Sequence, residues 1–404
     1  MISLEQSRKS FHEVRGLPVQ NFWKTVFQAQ GRNDILRTPR FQEWLNWAPN
    51  RSNCPELEVL MENLTDSIPE EWRARGRRIF AGRNLQGQAN AEAWQSGEVG
   101  VIELNYGFTS ASMIYMVLYS KYFEMIHTLG TEVDFSDDDE EIILMVLEEI
   151  GKDGFEPILI AEEERRAWTA NGMVFPAHRL LREIPSSRSE DSYHEGVRAI
   201  EEFAIAHEYA HHLLGHTDDE YPRSRYVNGR VDAELTRMGV NVSSYDLNEA
   251  QVDELRADSL ALLMMTGRLT GQVSASSIYR SMAGAIMGLT VLAHINESWV
   301  VSNEAGETHP DFLTRYDVAT TVIREMSKPM PIGPEGGHPF GFLAQLSGFV
   351  SLILDRWLSS RVEGHSPANV LSLTSWLFER SAEIQEELDK LKAGAASKPV
   401  QRGS

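Results

Sequence analysis

Residues 203–216, FAIAHEYAHHLLGH, place four histidines within ten positions of a chain that has only twelve. Among them, His207, Glu208 and His211 stand in the order H-E-x-x-H. On an α-helix, positions i and i+4 lie about 40° apart, so both imidazoles can face one ion. The glutamate beside them could take a proton from a metal-bound water, and the chemistry suggested is hydrolysis. His212 and His216 form a second i, i+4 pair, turned roughly 140–180° from His207. They read as a solvated face or a helix C-cap, where a protonated imidazole complements the helix dipole. The H-E-x-x-H spacing alone arises by chance in roughly one chain in thirty, so the surroundings must decide.

Two histidines leave a tetrahedral zinc one protein ligand short, with the fourth place kept for water. A metzincin would continue the motif with a glycine and a third histidine, but those positions hold Leu214 and Thr217. A glutamate from a following helix is the other solution, and YDLNEAQVDELRADSLALLMM (245–265) is such a helix. It offers Glu249 with Asp253, and Glu254 with Asp258. The two glutamates are five positions apart and point about 140° away from each other, so only one can reach the metal. Asp246 and Glu249 have capping-box spacing, which gives Glu249 a structural role at the helix start. Glu254 lies deeper, ahead of Ala257, Ala261 and Leu262, and is the expected ligand, with Glu249 as the alternative. Asp258, one turn on, would accept the second N–H of a ligand imidazole and fix its tautomer. Its competing reading is a salt bridge to Arg256 or another basic residue.

HEYAH followed by ELRAD resembles the H-E-x-x-H … E-x-x-A-D pattern of the gluzincin zinc metallopeptidases that include the CAAX-prenyl endopeptidases and the bacterial heat-shock membrane endopeptidases. Their third signature, H-P-x-x-x-x-R, is matched by HPDFLTR, with His309, Pro310 and Arg315 in register. A second His-Pro, His338–Pro339, has Ala344 where the arginine should stand. NGMVFPAHRLL is similar to the strand that leads into a Leu-Leu helix in that family. The resemblance covers residues 155–325. It implies Zn²⁺ on His207, His211 and Glu254, Glu208 as general base, and hydrolysis of a polypeptide substrate. It further implies that His309 donates to the oxyanion and that Arg315 orients its loop or pairs with a carboxylate. The strand carrying Met173, Val174 and Phe175 would then be the edge along which an extended substrate pairs. Many family members are integral membrane proteins, a feature this chain does not share.

The bulk properties narrow the setting. A formal net charge of −21 argues against nucleic acid and against anionic membrane surfaces. The single cysteine, Cys54, allows neither an intramolecular disulfide nor a thiolate zinc site. The N-terminus, MISLEQSRKSFHEVRG, lacks the apolar core of a secretory signal. The most apolar windows, 283–293 and 340–354, fall short of the roughly 18–20 residues that span a bilayer and read as buried helices. The expected location is the cytoplasm.

The elements that must position these residues suggest an α+β fold, mostly helical, with a zincin-like core, a small sheet and flanking helical regions. Residues 1–150 read as a mainly helical accessory region, 151–327 as the metallopeptidase domain and 328–341 as a linker. Residues 342–392 read as a C-terminal helical region and 393–404 as a disordered tail. Strands are expected at 98–106, 156–164 and 172–176. The acidic run 134–142 reads as a solvated loop, and Met113, Met116, Val117, Tyr122 and Met125 as a core stripe. Ser192 and Glu195 have capping-box spacing at the start of the helix bearing the histidines, whose inner face would include Val197, Ile200, Phe203 and Ala204. A cytosolic protease needs restraint, and the N-terminal region could supply it by covering the cleft. The rival to an enzyme is a catalytically silent scaffold or sensor that uses the same fold to bind a protein partner.

Overall fold

One helix, α6 (Glu190–Leu214), organises the molecule, because from Ala199 onward it is buried on nearly every side. The computed structural model describes residues 3–14, 22–29, 33–43, 54–84, 90–123, 190–217, 224–295, 309–332, 337–360 and 382–393, less a few isolated positions. The expected inner face of α6 is buried at Val197, Ile200, Phe203 and Ala204. So are Ala199, Ile205, Ala206, Tyr209, Ala210 and Leu213 on its other sides. A helix buried all round must be enclosed. A sheet and three later helices enclose this one. Ser192 does not cap it: the helix already runs from Glu190, so Ser192 falls inside its first turn.

The sheet has three strands, β1 (Ile79–Asn84), β2 (Ala91–Ser96) and β3 (Val99–Asn105), in the order β1-β3-β2. β1 runs parallel to β3, with Ile79 opposite Gly100, and β2 runs antiparallel, with Trp94 opposite Val101. β1 and β3 are buried throughout, whereas the edge strand β2 is mostly half-buried. β3 matches the strand expected at 98–106. β1 and β2 lie in the stretch read as mainly helical. Their short runs are broken by glycine and polar residues, so a period-2 pattern is hard to see. All three strands pack on α6, so a boundary at residue 150 does not separate the sheet from the helix with the histidines. The strands expected at 156–164 and 172–176, the acidic run, and Val117, Tyr122 and Met125 lie outside the described residues. Met116 is buried, as expected of a core stripe.

Ahead of the sheet come α1 (Leu4–Val14), α2 (Phe22–Ala29), α3 (Asn33–Leu36), α4 (Pro55–Asp66) and α5 (Glu70–Gly76). After α6 come α7 (Arg225–Arg237), α8 (Glu249–Met265), α9 (Ala275–Ile295), α10 (Phe312–Ser327) and α11 (Pro339–Ser360). The start of α8 is fixed by Asn248, whose side chain accepts from the Gln251 N–H while the Gln251 side chain accepts from the Asn248 N–H. That reciprocal pair replaces the Asp246–Glu249 box expected from spacing, and Asn248 holds the cap because it is the residue next to the first helical position. The two most apolar windows are the cores of α9 and α11, buried against each other and against α10. Among the described residues, no helix is long and apolar enough to cross a membrane. α11 begins inside the expected linker, and its Phe340, Leu343, Leu346 and Phe349 join the same core as α6 and α8. The fold is thus α+β, mostly helical, with one small sheet.

Candidate metal centre

α6 and α8 pack side by side, and their contact brings His207, His211 and Glu254 together. The His207 and His211 Nε2 atoms are 3.0 Å apart. Each is 3.3 Å from an oxygen of Glu254, His207 from Oε2 and His211 from Oε1. Ligands at about 2.0–2.1 Å from a tetrahedral zinc stand roughly 3.3–3.4 Å from one another, so these four atoms, two imidazole nitrogens and both Glu254 oxygens, are spaced much as ligands around one ion. The group is buried and could hold a metal ion. Glu249 is exposed at the first turn of α8 and is not in this group.

The electrostatics of the centre favour a cation. Burial opposes charge on His207, but Asp258 and Glu254 outweigh it and push the imidazole up to about 10. His211 moves well below its ordinary value, first through burial and then through the charge on His207. Burial opposes charge on Glu254 too, yet the hydrogen bond and charge of His207 hold it down to about 2. The carboxylates of Asp258 and Glu254 thus favour a proton on His207. A divalent cation would take the place of that proton.

The next layer outward is charged and closely spaced. The Asp258 Oδ1 lies 2.8 Å from His207 Nδ1, as expected of the carboxylate that fixes a ligand's tautomer. Arg315 grips the same carboxylate with two bonds, Nε to Oδ2 and Nη2 to Oδ1, both 2.7 Å. Arg315 thus pairs with a carboxylate, and it is Asp258. Arg256, the competing partner for Asp258, bonds Asp232 and Asp253 instead. Asp258 is fully buried and stays ionised well below the usual carboxylate range, because Arg315 and His207 offset its burial.

Glu208 sits half-buried next to His207, and burial pushes its carboxyl up to about 7. Glu92, on the edge strand β2, adds to that rise, while His207 and Arg315 oppose it. His309 lies at the open side, 59% exposed, with Nε2 3.4 Å from Glu254 Oε2. α10 begins just after it, capped by Asp311, whose carboxylate accepts from the Thr314 N–H. His338 plays a different part. It is buried, and its Nδ1 accepts from the Phe340 N–H at the start of α11. Met173, Val174 and Phe175 lie outside the described residues.

Two histidines differ from their expected place. His212 is not on a solvated face; it is 1% exposed, wedged between α6 and the sheet. Its Nε2 donates to the Val101 carbonyl at 3.1 Å, and its Nδ1 is 2.8 Å from the Thr217 hydroxyl. Gly100 makes room, since a Cβ there would lie 2.9 Å from the ring. Burial lowers the His212 imidazole to about 4, so it is neutral. His216 is no longer on the helix. Gly215, at φ +85°, ends α6, and the chain turns back so that His216 Nδ1 lies 2.8 Å from His211 Nδ1. Gly215, which the sequence marks as the terminator of this helix, ends it as expected, and only the helical wheel continued past it misplaces His216.

No protein-family model, curated protein or solved structure matches this chain.

Proposed function

We propose that the chain is a zinc-dependent endopeptidase of the gluzincin type with a zincin-like core. The observation that carries this reading is the meeting of the His207 and His211 Nε2 atoms with each other and with the two Glu254 oxygens at 3.0–3.3 Å, with Glu208 beside them. Two neutral imidazoles and one carboxylate suit zinc and leave a place for water. Zinc bound there would lower the pKa of that water and polarise a peptide carbonyl.

The remaining steps belong to the chain's own residues. Glu208, with its carboxyl near 7, is matched to accept a proton from water at neutral pH and to return it to the leaving amine. His309, exposed beside Glu254, would donate to the developing oxyanion. Asp258 and Arg315 hold His207 from behind and keep its Nε2 turned to the centre. The ordered motifs HEYAH, ELRAD and HPDFLTR, which resemble the family's signatures, support the same assignment.

The test is Glu208→Gln. The variant should bind zinc as wild type does and hydrolyse a quenched peptide library at least about 100-fold more slowly. Wild-type hydrolysis by this variant would overturn Glu208 as the base.

A further inference from the structure

The two histidines of the centre are backed differently. His207 leans on Asp258 and Arg315. His211 leans on His216, whose Nδ1 is 2.8 Å from its own Nδ1. His216 is itself nine-tenths buried, and its Nε2 faces the Asp253 carboxylate at 3.6 Å. Asp253 is the residue before Glu254 on α8, and Arg256 holds it at 3.1 Å. Arg256 in turn bonds both oxygens of Asp232, on α7.

We propose that His216, backed by Asp253, is a positioning residue that fixes the tautomer and ring plane of His211 at the metal centre. The case rests on donors and acceptors. An imidazole that offers Nε2 to a metal carries its proton on Nδ1. The Nδ1–H of His211 points at the Nδ1 of His216, so that nitrogen must be the acceptor. The proton of His216 then sits on Nε2, on the side of Asp253. The tautomers of His211 and His216 are thereby set by their mutual contact, with the Asp253 charge 3.6 Å from His216 Nε2 favouring the same arrangement. The turn makes this possible: His216 N–H donates to the His211 carbonyl at 2.9 Å and pins the histidine behind its partner. α8 thus supports all three candidate ligands, contributing Glu254 directly, Asp258 behind His207 and Asp253 behind His216.

This inference rests on the metal-centre reading above, and the experiment separates the two. Zinc affinity of the full chain is measured by chelator competition for wild type, His216→Ala, His216→Asn and His216→Gln, with melting of each metal-free protein alongside. The amide of asparagine places an acceptor oxygen near the Nδ1 position, whereas glutamine places it near Nε2. The expected result is a loss of about 10–100-fold in zinc affinity for Ala and Gln, most of it restored in Asn, with unchanged metal-free melting. Wild-type affinity in His216→Ala would overturn the role of His216 and leave the centre standing. Equal losses in all three variants, together with lowered metal-free melting, would make His216 merely structural and also overturn it. A wild type that binds no zinc would sink the metal reading itself, and this inference with it.

Discussion

Helix α6 carries two buried polar clusters less than two turns apart, and they are built on opposite logic. In the first, Arg83 on β1 is 1% exposed and gives two bonds to Glu201, at 2.8 and 2.7 Å. It gives further bonds to Glu56 and Thr109 and lies over the Trp23 ring at 5.0 Å. The guanidinium gives four bonds to carboxylate and hydroxyl acceptors and ties the sheet to α4 and α6. In the second, the His207, His211 and Glu254 ligand atoms lie close together and could hold a metal ion. Both are buried and charged, yet of the two only the second gathers groups that could hold a metal ion. Burial of charge therefore does not distinguish a site from a staple. The gathering of ligand atoms does.

Four substitutions or conditions would break or sharpen that contrast. The largest effect is expected at Glu254→Ala. Zinc sites with full ligand sets are worth about 10–16 kcal/mol, so losing one ligand should weaken zinc roughly a thousandfold. Glu249→Ala, at the exposed first turn, should leave zinc content unchanged; metal analysis of the two purified variants decides between them. Next comes Arg83→Met, which strands Glu201 and Glu56 inside the protein. It should cost about 3–5 kcal/mol in denaturant unfolding while zinc affinity per folded molecule stays at the wild-type value. A loss of zinc binding in that variant would mean the two clusters are one unit.

The third concerns pH. His212 titrates at about 4 in the folded protein because it is buried, and near 6.5 when unfolded. Between those values the unfolded chain binds more protons, so stability falls as pH falls from 6.5 toward 4. The advantage of wild type over His212→Gln should be fully present above pH 6.5. It should shrink by up to about 3 kcal/mol toward pH 4, as read by denaturation at several pH values. A constant difference would mean that His212 is not a buried neutral staple. The smallest effect is expected at Tyr209→Phe, on a face of α6 that meets α4. Its hydroxyl lies 3.0 Å from Thr65 Oγ1, which itself donates to the Met61 carbonyl. Loss of this bond should cost about 1 kcal/mol in unfolding and leave zinc binding alone.

Much of the centre was legible in sequence because helix periodicity is a local rule. His207 and His211 one turn apart, and Glu254 rather than Glu249, follow from angles on a wheel and from apolar neighbours. Asp258 followed from its place one turn beyond Glu254 and Arg315 from the resemblance of HPDFLTR to a family signature, and the structure joins the two to each other. The failures have local causes as well. His216 was placed by continuing a helix past Gly215, where the backbone turns left-handed. His212 was assigned to solvent because nothing along the chain says that β3 passes over that side of α6. β1 and β2 were missed because their short runs show no clear period of two, and the Arg83–Glu201 pair because its partners are 118 positions apart.

The sequence by itself determined which side chains could bind a metal and that two of them share a helix face, because that geometry repeats every 3.6 residues. It also determined an acidic, mostly helical chain with apolar helices at 283–293 and 340–354. Only the tertiary structure decided that α8 lies against α6 with Glu254 inward, that a sheet from residues 79–105 closes the other side, and that His216 returns behind His211. The physical reason is that burial and long-range pairing depend on which surfaces meet, and no local spacing encodes which partner covers each side of a helix buried all round.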